Sequence, residues 1–250
     1  MEHPEREGSA DHPAVSRIAR FLKRNWWQVG LGAIALFLLL EYISLPFSKI
    51  ENLKTAIPTE TAFMLEHADR ARQEGKKFHK VQTIVALDRI PKDVISAVVV
   101  AEDGMFWSHN GFDWFEFRES FTRNLREFRF ARGGSTITQQ LVKNLFLSSS
   151  KDPVRKLKEW ILTWKMERTL SKSRIIELYL NTIEWGDGVY GIGAASQRYF
   201  QKPVSELTRE EAARLAAVIP NPRRYRADSE SRYVRSRTTM ILGRMEARGL

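Results

Sequence analysis

The chain has 250 residues, 43% hydrophobic and 28% charged, with no cysteine. That balance excludes wholesale disorder and collagen-like repeats, and the missing thiols exclude disulfide frameworks, cysteine-ligated zinc, iron–sulfur clusters and cysteine nucleophiles. Lys and Arg number 40 against 30 Asp and Glu, a formal charge of +10; such a surplus points to nucleic acid, anionic lipid or a phosphorylated substrate.

Residues 1–16 are polar, with scattered Pro, Gly and His, and read as a disordered tail. Arg17, Arg20, Lys23 and Arg24 follow. Residues 26–45 then run WWQVGLGAIALFLLLEYISL, with Glu41 the one ionisable carboxylate or base. As a helix this stretch covers about 30 Å, the hydrocarbon thickness of a bilayer. Trp26 and Trp27 at one end and Tyr42 near the other match interfacial aromatic belts. A cleaved signal peptide would use residues 29–40 as its apolar centre, but no small-x-small site follows. A buried soluble helix would need a polar face that this one lacks. The basic residues precede the span, so the positive-inside rule predicts a cytoplasmic basic tail (1–25), a transmembrane helix (26–45) and an extracytoplasmic remainder. That orientation argues against a nucleic-acid partner.

Residues 46–58 read as a juxtamembrane linker. Helical spacing at Ala62, Phe63, Leu65, Ala68 and Ala71 predicts a helix over 59–74, stopped by Gly75. Alternation at Val81, Thr83, Val85 and Leu87 predicts a short strand over 80–87. Pro91 opens an apolar helix, PKDVISAVVVAED. A further helix is expected after Asp113. Ser135 or Thr136 caps TITQQLVKNLF, and Asp152–Pro153 begins a long helix to about Leu170. Helices also fit 173–181, 193–200 and 209–219; Thr208 and Glu211 form a capping box for the last, which Pro220 and Pro222 end. The outer part therefore reads as mainly α.

Three clusters carry chemistry-bearing side chains. In the first, Glu102 and Asp103 leave an apolar helix together, followed by Phe106, His109 and Phe112. A carboxylate at the rim of a core is partly desolvated, which makes it a better base; an exposed helix end with core phenylalanines and a structural histidine is the plainer alternative. In the second, Ile137, Leu141 and Leu145 face the core, while Gln139 and Lys143, four apart, share a polar face. The helix start plus Lys143 suits an anion, although the P-loop spacing is absent. In the third, Leu157, Ile161 and Trp164 form an apolar stripe, and Arg155 and Glu159 stand at the spacing of a surface ion pair or of a basic cleft with one carboxylate.

Taken in order, EDGMFWSHNGFD (102–113), RGGSTITQQLVKN (132–144), RKLKE (155–159), KSRIIELYLNTIEWGDGVYGIGAASQRYF (172–200) and ARLAAVIPNPRRYR (213–226) resemble the peptidoglycan glycosyltransferases of family 51. The resemblance covers roughly residues 90–240, and one membrane helix followed by this domain alone is similar to the family's monofunctional members. It implies a lysozyme-like helical glycosyltransferase domain over 91–250. A smaller membrane-proximal subdomain is expected to draw on 46–90 and parts of 112–132. The implied reaction polymerises lipid II, a disaccharide-pentapeptide on undecaprenyl diphosphate, into glycan strands with inversion at the anomeric carbon.

The resemblance also implies residue roles. Glu102 takes the proton of the attacking hydroxyl; Asp103, Phe106 and His109 hold and orient it. Glu159, near the departing diphosphate, binds a divalent cation such as Mg or positions Lys158. Lys143, Arg155 and Lys158 neutralise the diphosphate, while Ser135, Thr136, Gln139 and Gln140 bind sugar or phosphate oxygens. The loop 185–193 supports the cleft, and Asn181 braces it. Family members often carry a basic residue shortly after the segment matching Gly111–Asp113, and Arg118, Glu119 and Arg123 are the candidates for that position. The implied partners are lipid II, the growing strand, membrane lipid and other cell-wall synthases; the implied location is the inner membrane.

Rival readings are a membrane-anchored lysozyme-like muramidase, which needs no basic cleft, and a non-catalytic scaffold, which needs neither Glu102 nor Glu159. Ser148-Ser149-Ser150-Lys151 matches S-x-x-K, but no S-D-N or K-T-G follows.

Overall fold

The computed structural model describes residues 24–115, 118, 134–150 and 152–250. Two compact units divide at Leu45 and Pro46. The first contains helix α1, Trp26–Ile43, long and apolar enough to cross a membrane. Apart from Glu41 its side chains are exposed, as suits a helix with no polar face.

The second unit is helical around a small sheet. Helices α2 (Phe47–Asn52) and α3 (Ala62–Gln73) come first; Thr61 caps α3 and Gly75 ends it in the left-handed region at φ 67°. Strand β1, Val81–Gln82, and a 3-10 turn lead to α4, Lys92–Glu102. Then follow α5 (Ile137–Phe146), α6 (Pro153–Thr169) and α7 (Lys172–Thr182). Strands β2 (Glu184–Gly186) and β3 (Val189–Tyr190) form an antiparallel hairpin whose β3 pairs in parallel with β1. Helices α8 (Ile192–Phe200), α9 (Arg209–Val218) and α10 (Arg232–Glu246) complete the unit.

Most of the helix starts follow the expected cap chemistry. Thr136 and Thr208 form capping boxes with Gln139 and Glu211, and the Asp152 carboxylate accepts from Arg155 N–H with Pro153 in the first turn. α9 packs between α4 and α10. Its Ala212, Ala213, Ala216 and Ala217 are fully buried, and such small side chains let neighbouring helices approach closely. α5 packs between α6 and α7, and α3 lies along it; Ile137 and Leu141 fill that core, each worth about 1.5–3 kcal/mol of burial.

Three details differ from the sequence expectations. The strand over 80–87 is only two residues long, because the Asn181 side chain supplies the bonds a longer ladder would: its Oδ1 accepts from Val85 N–H and its Nδ2 donates to Val85 C=O, both at 2.8 Å. The segment 185–193 is largely the β2–β3 hairpin, not a loop. Its turn demands Gly188, at φ +71°, where a Cβ would stand 2.2 Å from the His79 carbonyl oxygen. α10, and α2 within the expected linker 46–58, have no counterpart in the expected elements. Of the helix expected after Asp113, residues 114, 115 and 118 are helical and most of the remainder lies outside the described residues.

Candidate active site

α4 delivers two adjacent acids with different partners. Asp103 leaves the helix at φ −160° and is 7% exposed. Its Oδ2 accepts from Ile137 N–H at 2.9 Å, the first amide of α5, and His109 Nε2 donates to its Oδ1 at 2.8 Å. His109 Nδ1 accepts from Gly111 N–H at 3.1 Å, which places the ring proton on Nε2, facing Asp103. Gly111 C=O in turn accepts from the Thr136 hydroxyl at 2.8 Å. The loop can approach so closely only because residue 111 is glycine: at φ +89° a Cβ there would lie 2.8 Å from Thr163 Cγ2 and 2.9 Å from Glu167 Cγ.

The start of α5 is therefore already satisfied. The amides of Ile137 and Gln139 bond Asp103 and Thr136, and the Gln139 side chain accepts from Thr136 N–H at 3.0 Å. Thr136 and Gln139 are buried at 3% and 5% exposure, so their polar atoms serve the capping box, not a polar face. The anion expected at this helix start is the protein's own Asp103 carboxylate. Ser135 remains exposed.

Glu102 points elsewhere. Its Oε2 accepts from Gln140 Nε2 at 3.0 Å and its Oε1 from Arg237 Nη2 at 3.3 Å. Gln140 Oε1 accepts from the Tyr179 hydroxyl at 2.8 Å, which orients the amide with its NH₂ toward Glu102. Burial pushes the Glu102 carboxyl above its ordinary range; Gln140 and Arg237 oppose that rise, and the neighbouring Asp103 charge adds to it. Burial and the same two acids raise the Tyr179 phenol well above its usual value, so it stays a neutral donor. Arg237 lies outside the quoted motifs, and Tyr179 lies within 172–200 without a role read from the sequence. The detectable signal for Arg237 is the stripe Val234, Thr238, Ile241 and Met245 after the Ser231 cap, which sets α10 against the core.

The other glutamate is clamped. Glu159, 2% exposed, accepts from Arg155 Nη1 at 2.6 Å and from Lys156 Nζ. The expected surface pair is thus a buried one, and Lys156, three residues away, is its unforeseen second cation. Arg155 Nε is buried without a hydrogen-bond partner among the described residues. Lys158 is half-buried on the same helix. Both Glu159 oxygens already face cations, and no group of three or more His, Asp or Glu among the described residues is arranged to hold a metal ion. Glu159 therefore offers no uncommitted oxygen to the divalent cation expected at the diphosphate.

Lys143 stands one turn beyond Gln140, so the two share a side of α5. Its Nζ lies 5.5 Å from the centre of the Phe63 ring. Phe106 is fully buried, with Lys172 Nζ 4.5 Å from its ring centre and the His109 ring edge-on at 6.4 Å; it backs His109 and presents nothing to solvent. Arg118 is exposed, while Glu119 and Arg123 lie outside the described residues.

Residues 70–246 match the family model described as Transglycosylase. Proteins named biosynthetic peptidoglycan transglycosylase are similar over most of the chain. The one from Thiobacillus denitrificans is 44% identical over 223 residues, covering 88% of this chain and 95% of that relative. The one from Nitrosospira multiformis is 39% identical over 225 residues, covering 90% and 97%. The one from Bordetella avium is 40% identical over 236 residues, covering 93% and 97%. These likenesses do not favour the muramidase reading. With its paired helix-borne glutamates and its match to the family model over most of its length, the chain belongs to the transglycosylase family.

Proposed function

We propose that this enzyme is a peptidoglycan glycosyltransferase of cell-wall synthesis that polymerises lipid II into glycan strands. The observation that carries the mechanism is the Glu102 carboxylate, buried, raised in basicity and aimed by Gln140 and Arg237. The 4-hydroxyl of the acceptor sugar attacks C1 of the donor muramic acid. Glu102 accepts the hydroxyl proton as the new bond forms, and undecaprenyl diphosphate departs from the opposite face, inverting α to β. A hydroxyl is a poor nucleophile near neutral pH, so a positioned base is worth roughly 10²–10⁴ in rate.

Lys143, Arg155 and Lys158 neutralise the leaving diphosphate, and preorganised cations at a departing charge are a large source of rate. Glu159 sets the Arg155 guanidinium through their 2.6 Å bond. Asp103, His109, Thr136 and Gln139 fix the start of α5, and with it Gln140 and Lys143. Ser135 is left to meet a sugar or phosphate oxygen. The proposed topology is a cytoplasmic tail (1–25), an inner-membrane span (26–45), and an extracytoplasmic remainder in which 46–90 is membrane-proximal and 91–250 is the catalytic domain. Other cell-wall synthases are its proposed protein partners.

The test is polymerisation of purified lipid II by the full-length enzyme and by Glu102→Gln. Glycan strands from the wild type and a loss of about 10²–10⁴-fold in the variant support the reading. A variant within about threefold of wild type sinks the base assignment.

A further inference from the structure

A cavity of about 380 Å³ lies where α3 meets the turn of the β2–β3 hairpin. Its charged lining is Arg70, Lys76, Lys77 and Arg223 against Glu74 and Asp187. Glu74 is paired with Lys76 at 2.7 Å, and Arg223 is pinned through Nε to both oxygens of the buried Glu184 at 3.1 Å. Arg223 also faces Asp187 at 3.7 Å, and Arg70 reaches Glu66 at 3.4 Å in an exposed pair of the kind worth little, while Lys77 pairs with no acid among the described residues. The lining therefore presents Lys77 without an acid partner beside the weakly paired Arg70, with Arg223 held by Glu184.

α3 connects this cavity to the proposed diphosphate site. Phe63 touches Lys143 and lies 6.0 Å from the His67 ring, which is itself in the cavity wall. Arg70 follows Phe63 by seven residues, about 10 Å along a helix that rises about 1.5 Å per residue. Lipid II carries its pentapeptide on the same muramic acid whose C1 bears the diphosphate. Five extended residues reach roughly 17 Å and end in a free carboxylate. A donor whose diphosphate rests at Lys143 can therefore lay its peptide along α3 into the cavity.

We propose that this cavity is a subsite for the anionic stem peptide of the donor lipid II. The proposal rests on the glycosyltransferase reading above. Arg70 and Lys77 meet the peptide carboxylates, Arg223 forms the fixed wall, and the sugar chemistry stays at Glu102.

The experiment measures kcat/KM of the full-length enzyme on two substrates: lipid II with its pentapeptide, and the same lipid-linked disaccharide with the peptide replaced by a neutral amide. The wild type should prefer the pentapeptide form, and added salt should shrink the preference. The double variant Arg70→Gln, Lys77→Gln should lose roughly fivefold or more of it, and Arg70→Lys, Lys77→Arg should keep it. Both residues are exposed on or beside α3, so neither change disturbs the core. Equal use of both substrates by the wild type, or an undiminished preference in the double glutamine variant, overturns the subsite while polymerisation stands. A wild type that polymerises neither substrate overturns the glycosyltransferase reading and the subsite with it.

Discussion

Glu102 and Glu159 both sit on helices, their side chains are 10% and 3% exposed, and their surroundings differ in one respect. Glu102 meets a neutral amide at 3.0 Å and a single guanidinium at a long 3.3 Å. Glu159 meets Arg155 at 2.6 Å and Lys156 besides. The first carboxylate is under-compensated and gains from taking a proton. The second is fully matched by two cations. Burial alone thus does not make a base; the balance of partners around the buried charge does.

Breaking the comparison should give two different phenotypes. The largest effect is on rate: Glu102→Gln removes the proton acceptor and keeps the shape, so polymerisation falls by about 10²–10⁴-fold while the melting temperature stays near wild type. Glu159→Gln acts on stability first. Removing one partner of a buried pair costs about 3–5 kcal/mol, so a marked drop in melting temperature should accompany its loss of activity. Similar melting curves for the two variants would erase the distinction.

A smaller change sharpens it. The Arg237 charge lowers the Glu102 pKa against the effect of burial. Arg237→Gln should raise that pKa further. The base works only when ionised, so the acid limb of kcat/KM should move to higher pH, with partial recovery of rate in alkaline buffer. A limb that stays in place, or moves toward acid, removes Arg237 from the base.

The smallest expected effect lies outside the two glutamates. Burial lowers the His67 pKa to about 4, and the nearby Arg223 charge works in the same direction. Between there and the ordinary value of 6.5 the unfolded chain holds the proton more tightly, so stability should decline as pH falls through that window. Melting curves of His67→Gln should be flatter than wild type across it; an unchanged slope would assign the acid sensitivity elsewhere.

Local chemistry made much of this molecule legible. Thr136, Asp152 and Thr208 announce their helices because a cap needs only neighbours within four residues. The reading of Gln139 failed for the same local reason: spacing put it on a face with Lys143, but the capping box turned its amide back to Thr136 N–H. Arg237 stayed hidden because its contact with Glu102 spans 135 residues and depends on α9 and α10 folding against α4. Tyr179 likewise reads as one more apolar helix residue until α7 is laid beside Gln140. The motifs marked where the acids are; their division of labour came from tertiary packing.

The separate partners of Glu102 and Asp103 make the two acids unexchangeable. Exchanging the two residues would preserve net charge, composition and every chemical class in the segment. Asp at position 102 would be one methylene shorter, withdrawn from Gln140 and Arg237, and Glu at position 103 would push against the first amide of α5 and the His109 ring. The exchanged chain would keep its acids while losing the contacts of Glu102 with Gln140 and Arg237 and the Asp103 bond to the first amide of α5. Side-chain length at these two neighbours, more than their shared charge, therefore decides which partners each one reaches.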